Sequence, residues 1–199
     1  MNIYLVRHGE TQTNIDGIVC GQLDTHLTER GIEQAKKLAD VLQDIEFDAL
    51  ITTPLQRAYQ TANYAYPSDK YIKIEALMET HTGTASEWTL DELHKYDERY
   101  LNHGLYSHLK YPGGESIDDV YNRMINWFKT FIKQSASMQN VLIVGHGGTV
   151  NVLIHYLLNV PIHLYPAFNV KNGSCAQVKY DIQYNTAKLI TFNQTEAYA

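Results

Sequence analysis

The chain has 199 residues, with 16 Lys plus Arg against 22 Asp plus Glu, a formal net charge of −6 at pH 7, and 44% hydrophobic residues. That length suits one domain spanning residues 1–199 with a sizeable core, and the composition excludes a disordered chain. The acidic balance argues against a nucleic-acid coat and against an anionic-membrane binder, since both need a surplus of Lys and Arg. Arginine is confined to Arg7, Arg30, Arg57, Arg99 and Arg123, so any chemistry on an anion must rest on a few placed cations. Cys20 and Cys175 are too far apart for a CxxC metal knuckle or a disulfide framework, and they read as reduced thiols of a cytoplasmic protein. No apolar run approaches the length of a membrane span, because Arg7 and His8 interrupt the first one.

In chain order, Asn2 to Val6 reads as a buried strand that ends at Arg7-His8-Gly9. Thr28 is placed as the N-cap of a helix whose Ile32, Ala35, Leu38, Ala39 and Leu42 recur at helical spacing. Asp48 to Thr53 reads as a second strand, with Pro54 in the first turn of a helix reaching about Ala65. Lys73 to Met78 is a third strand candidate. A polar, aromatic stretch follows from His81 to Tyr111, helical in places such as Leu90 to Tyr100. Ser116 and Asp119 form a capping-box pattern ahead of an apolar stripe of Ile117, Val120, Met124, Phe128 and Ile132. Asn140 to Val144 is a fourth strand, followed by Gly145-His146-Gly147-Gly148 and a helix from about Thr149 to Leu158. Ala176 to Tyr180 and Lys188 to Phe192 read as an edge hairpin. Alternating strands and helices predict an α/β fold: a mainly parallel sheet covered by helices on both faces, with an insertion near residues 81–112.

Ligands of such sheets bind beyond the carboxyl ends of the strands. Arg7-His8 ends the first strand, Thr52-Thr53-Pro54 with Arg57 follows the second, Glu79 the third and Gly145-His146 the fourth, so one crevice is expected to receive them all. A guanidinium beside an imidazole suits attack on phosphorus: Arg offsets the anionic repulsion in a fixed fork and His supplies the nucleophile. Gly9 is read as letting the backbone pass close to the bound group. A lone His at a strand end would more simply be a structural hydrogen bond to a turn carbonyl.

His8 is not alone. Arg7-His8-Gly9-Glu10-Thr11 with Asn14, Gly21-Gln22 with Asp24, Leu27-Thr28 with Gly31, Thr53-Pro54-Leu55-Gln56-Arg57-Ala58 with Thr61-Ala62, Gly113-Gly114-Glu115-Ser116 and Val144-Gly145-His146-Gly147-Gly148 stand in an order that resembles the histidine phosphatase superfamily, the phosphoglycerate mutase-like fold. The resemblance implies that His8 becomes phosphorylated by in-line attack, with Arg7, Arg57 and His146 stabilising the equatorial oxygens and His146 protonated once phosphate is bound. It also implies that Gly147 and Gly148 add helix N-terminal amides, and that Asn14, Cys20, Gly21 and Gln22 contact substrate. Glu79 matches the proton donor of relatives, a role that needs a raised pKa from an apolar wall or a second acid. Relatives continue with an aromatic and a Glu-Gly pair, whereas Glu87-Trp88-Thr89 comes one residue late and lacks the Gly.

His81, His94, His103 and His108 fall in or near the insertion, where a solvated polar segment competes with a lid that selects substrate; Tyr96, Tyr100, Tyr106 and Tyr111 read as aromatic packing, and His155 and His163 as ordinary packing or surface residues. No HExxH, GxxxxGK[ST] or GxGxxG pattern appears, so neither a metal nor a cofactor is expected. The expected activity is a metal-independent phosphomonoester phosphatase acting on a small phosphorylated metabolite through phosphohistidine. A phosphoglycerate mutase, hence an isomerase, shares that chemistry; shortness of the chain and Gln22, where mutases commonly carry Trp, favour hydrolysis. A non-catalytic phospho-ligand-binding module would be marked by loss of a pocket residue, and Arg7, His8, Arg57 and His146 are all present. The sequence leaves the oligomeric state open.

Overall fold

In the computed structural model, which describes residues 1–197, strand β1 (Asn2–Arg7) sends alternate side chains to opposite faces of a sheet. Ile3 and Leu5 join one core cluster, while Tyr4 and Val6 join another. The remaining strands are β2 (Ala49–Thr52), β3 (Ile72–Lys73), β4 (Asn140–Gly145), β5 (Cys175–Asp181) and β6 (Thr186–Gln194), and the six lie in the order β3-β2-β4-β1-β5-β6. β1 to β4 pair in parallel, and β5 and β6 close one edge as an antiparallel hairpin. The expected mainly parallel sheet with an edge hairpin is what the structure has.

Helices cover both faces. α1 (Gln12–Ile15) is a single turn after β1; α2 (Glu29–Leu42) and α3 (Gln56–Ala65) pack on the face that carries Tyr4, Val6, Leu142 and Val144. α4 (Leu90–Tyr96) belongs to the intervening segment, and α5 (Ile117–Gln134) and α6 (Gly147–Leu157) bury Met124, Phe128 and Leu153 against Ile3, Leu5 and Ile143 on the other face. Thr28 caps α2 by accepting from Gly31, and Ser116 with Asp119 closes the capping box of α5. No helix among the described residues is long and apolar enough to cross a membrane.

Three boundaries and the role of Gly9 differ from the sequence expectation. The third strand is only Ile72–Lys73, because Glu75–Leu77 winds into a 3-10 turn that drops Leu77 into the core, which alternation alone does not reveal. Pro54 stands ahead of α3 rather than in its first turn; Leu55 is the N-cap, and distant Asp24 accepts from the Gln56 amide. α6 starts at Gly147, with His146 itself as N-cap, two residues earlier than Thr149. Gly9 serves the fold: a Cβ there would run into the carbonyl oxygen of Gly31, so its bareness lets β1's exit pass the first turn of α2.

The segment 81–112 holds α4, two 3-10 turns (Gly83–Ala85 and Glu98–Asn102) and a small cluster of Val19, Ala85, Leu93 and Tyr100. Tyr100 stacks on Tyr111 at 5.1 Å between centroids and Tyr96 leans on Trp88, while Tyr106 is exposed. Outside the segment, His155 is fully buried, bonded to Val160 and Ala167, and His163 is exposed.

Candidate active site

β1 hands its last hydrogen bonds to the site. The His8 amide donates to Gly145 at 3.0 Å and the Arg7 amide to Ser174 at 3.0 Å, so both side chains leave from ladder-fixed backbone. His8 Nδ1 lies 2.7 Å from the Gly9 carbonyl. A carbonyl only accepts, so Nδ1 carries the proton and Nε2 keeps its lone pair. The ring is 4% exposed; burial first, then the Arg57 and Arg7 charges, hold its pKa well below the usual imidazole value. A neutral, desolvated imidazole with a free Nε2 is a nucleophile.

Arg57 comes from the second turn-end, at the start of α3, and is 2% exposed. Its Nη1 donates to Leu23 and its Nη2 to Gly21, each at 2.7 Å. Arg7 donates from Nη1 to Val170 at 2.6 Å, and its Nε is buried with no hydrogen-bond partner among the described residues. His146, fully buried at the end of β4, stands 5.4 Å from His8 between ring centroids. Its Nε2 lies 3.0 Å from Thr53 Oγ1, and its Nδ1 likewise has no partner among the described residues. Burial, then Arg57, His8 and Arg7, press its pKa well below the usual value too. Two unpartnered buried nitrogens beside two guanidiniums make a pocket short of acceptors, the complement of a phosphoryl group.

Glu79 follows the 3-10 turn after β3. Its Oε1 accepts from the Thr80 amide at 2.9 Å and its Oε2 from the Gly148 amide at 3.0 Å. Two amide donors hold the carboxyl, rather than the apolar wall or second acid anticipated from sequence. Its main-chain carbonyl is clamped by Gln22 Nε2 at 2.8 Å and Arg123 Nη2 at 3.1 Å. Burial together with the nearby Glu79 carboxyl pushes the Tyr165 and Tyr111 phenols up, so both are neutral donors at this end of the site.

A cleft of about 440 Å³ gathers Arg7, His8, Asn14, Cys20 and Gly21 with Arg57, Glu79, Gly147 and Gly148. Two of the expected contacts, Gln22 and His146, lie outside its lining. Gln22 does not line the cleft, because Gly21 turns the chain at φ +50° and sends the next side chain to Glu79. His146 is fully buried and does not line the cleft. The Gly148 amide is committed to Glu79, and a Cβ on Gly147 or Gly148 would crowd Arg7 or Glu79 respectively. Thr61, quoted from sequence only as part of a motif, accepts from the Gly9 amide, and sequence reading missed Asn172, which bridges the His8 carbonyl and Asn14 Oδ1. It also missed Asn151 and Tyr165, which line the cleft from α6 and beyond. Among the described residues no group of three or more His, Cys, Asp or Glu is arranged to hold a metal ion.

Fold and site define a class, and the chain belongs to it: the histidine phosphatase superfamily (branch 1) matches residues 3–193. The chain is similar to the adenosylcobalamin/alpha-ribazole phosphatase of Escherichia coli (strain K12), at 29% identity over 195 residues that cover 96% of this chain and 95% of that protein. Phosphoserine phosphatase 1 of Hydrogenobacter thermophilus is 30% identical, with 93% of this chain and 89% of that protein covered. Among solved structures, the alpha-ribazole phosphatase from Shigella flexneri superposes with a TM-score of 0.88 at 30% identity, covering 100% of this chain and 99% of that one. The relatives are phosphatases, and phosphatase activity is the activity their similarity supports.

Proposed function

We propose that this enzyme hydrolyses phosphomonoesters of a small metabolite through a phosphohistidine on His8, without a metal ion. The observation that carries the reading is the His8 Nδ1–Gly9 carbonyl bond, which leaves Nε2 as the free lone pair beside two arginines. In the first step Nε2 attacks phosphorus, the ester P–O bond breaks, and Glu79 delivers a proton to the departing oxygen. Arg7 and Arg57 meet the equatorial oxygens, and the unpartnered Arg7 Nε and His146 Nδ1 supply further donors as charge redistributes. In the second step a water oxygen attacks phosphorus, Glu79 takes its proton, and the P–N bond breaks to release phosphate and neutral His8. Asn14, Cys20 and Gly21 border the substrate. The names of the relatives, an adenosylcobalamin/alpha-ribazole phosphatase and a phosphoserine phosphatase, support a small phosphorylated substrate.

The test is p-nitrophenyl phosphate turnover in EDTA beside a His8→Ala control, with acid-stable, base-labile chemistry excluded and the acid-labile phosphohistidine trapped by rapid quench. Turnover that persists in EDTA and disappears in His8→Ala is expected; loss on chelation, or survival in His8→Ala, defeats the mechanism. Offering 3-phosphoglycerate and finding 2-phosphoglycerate instead of free phosphate would make the enzyme a mutase.

A further inference from the structure

Every cation that lines the cleft is needed at the phosphoryl end. Among the described residues Arg7 and Arg57 are the only Lys or Arg of its lining, and both carry charge close to His8. Beyond them the wall mixes Ile18, Pro166, Phe168 and Val170 with the neutral polar side chains of Thr11, Thr13, Asn14, Asn151 and Asn169. A second hollow of about 220 Å³ adjoins at Glu79, Gly21, Gly148 and Tyr165 and extends under the 81–112 segment to Leu90, His103 and Tyr111, again with no Lys or Arg. Burial and the nearby His94 lower the His103 pKa, so its imidazole is neutral at pH 7. Arg123, behind Glu79, is taken up by Glu115 and the carbonyls of Ala76 and Glu79.

We propose that the enzyme selects phosphomonoesters whose leaving group is an uncharged alcohol, and discriminates against leaving groups bearing a carboxylate or a second phosphate. The proposal deepens the phosphatase reading above and rests on it. An anionic leaving group would give up its water, find no cation in either hollow and meet the Glu79 carboxyl at their junction. A neutral alcohol can instead pack on Ile18, Phe168 and Val170 and meet the uncharged hydroxyls and amides between them. Asn151, whose Nδ2 donates to the Phe168 carbonyl, adds a neutral amide to that lining.

Two matched pairs of substrates test this at pH 7.5: glycerol 3-phosphate against 3-phosphoglycerate, and benzyl phosphate against 4-carboxybenzyl phosphate. Within each pair the ester chemistry is held constant and one charge is added. The neutral member is expected to have a kcat/KM at least about tenfold higher in both pairs. Ile18→Lys, which puts a cation on the wall, should shrink both ratios by about tenfold. Equal rates, a preference for the anionic members, or ratios unmoved by Ile18→Lys overturn the proposal while leaving the phosphatase standing. No His8-dependent phosphate release from any of the four overturns the phosphatase reading, and the proposal with it.

Discussion

Arg123 on α5 donates through Nη2 to the main-chain carbonyl of Glu79 at 3.1 Å and through Nη1 to Ala76 at 2.7 Å, while Nε and Nη2 grip Glu115. The guanidinium therefore ties the turn that carries the proposed proton donor to α5, which shares a core cluster with Leu77 of that turn. It touches no reacting atom, so Arg123 is a positioning residue.

Arg123→Ala should accordingly harm reactions that need the acid. A displacement of about 1 Å at a catalytic group costs on the order of 100-fold, so alkyl phosphate turnover should fall by roughly that factor. p-Nitrophenolate leaves without help, and its release should fall by only a few-fold. Measuring both substrates on one preparation separates positioning from general loss of structure, since partial unfolding would lower both rates equally.

Arg57 has two roles that one substitution conflates. Arg57→Ala removes a cation from the phosphoryl site, for which kcat/KM should drop by at least about 100-fold. It also orphans the buried carbonyls of Leu23 and Gly21, at about 1–3 kcal/mol each. Arg57→Lys keeps the charge and loses the fork, so it should recover part of the rate and little of the stability. Denaturant midpoints run beside kcat/KM divide the two effects, and a near-wild-type rate for Arg57→Ala would remove it from the site.

How much of this was legible beforehand depends on where the information lies. Arg7-His8 and Gly145-His146 are contiguous with apolar runs that can only be buried strands, so the strand-end rule brought them together without a structure. Arg57 followed because Thr52 ends β2 five residues earlier. The supporting contacts span the chain: Arg123 reaches Glu79 across 44 residues and Asn172 reaches His8 across 164. No local pattern encodes such pairs. Gln22 shows the same limit from the other side, since its neighbour Gly21 takes a left-handed turn and re-aims the side chain. The short β3 and the 3-10 turn after it were misread because only tertiary burial of Leu77 decides between turn and strand.

Thr53 holds the His146 ring by one hydrogen bond. Its hydroxyl lies 3.0 Å from Nε2 and already receives the Leu55 amide at 3.3 Å, so its own hydrogen is free to go to the imidazole. Donation to Nε2 would leave the proton on Nδ1, the nitrogen without a partner among the described residues. Thr53→Val should lower kcat/KM by about tenfold and cost about 1–2 kcal/mol for the orphaned nitrogen. Thr53→Ser should restore the rate. If Val and Ser variants share one kcat/KM, the hydroxyl plays no part in aiming His146.

Two neutral imidazoles in one buried pocket make stability depend on pH. His8 and His146 have folded-state pKa values well below the unfolded one, chiefly through burial and Arg57, and His103 and His155 are lowered as well. Between the folded and unfolded values the unfolded chain binds more protons, so stability rises with pH. The contribution is complete above the unfolded value of about 6.5 and is lost as pH falls below it, by up to about 1.4 kcal/mol per pH unit for each histidine. Urea midpoints should therefore be level from pH 8 to 7 and drop between pH 6.5 and 5, before most carboxylates titrate. His8→Asn should make that drop shallower by removing one titrating ring. A midpoint unchanged down to pH 5 would mean that the fold accepts charged imidazoles beside Arg7 and Arg57, and the neutral nucleophile would be lost with it.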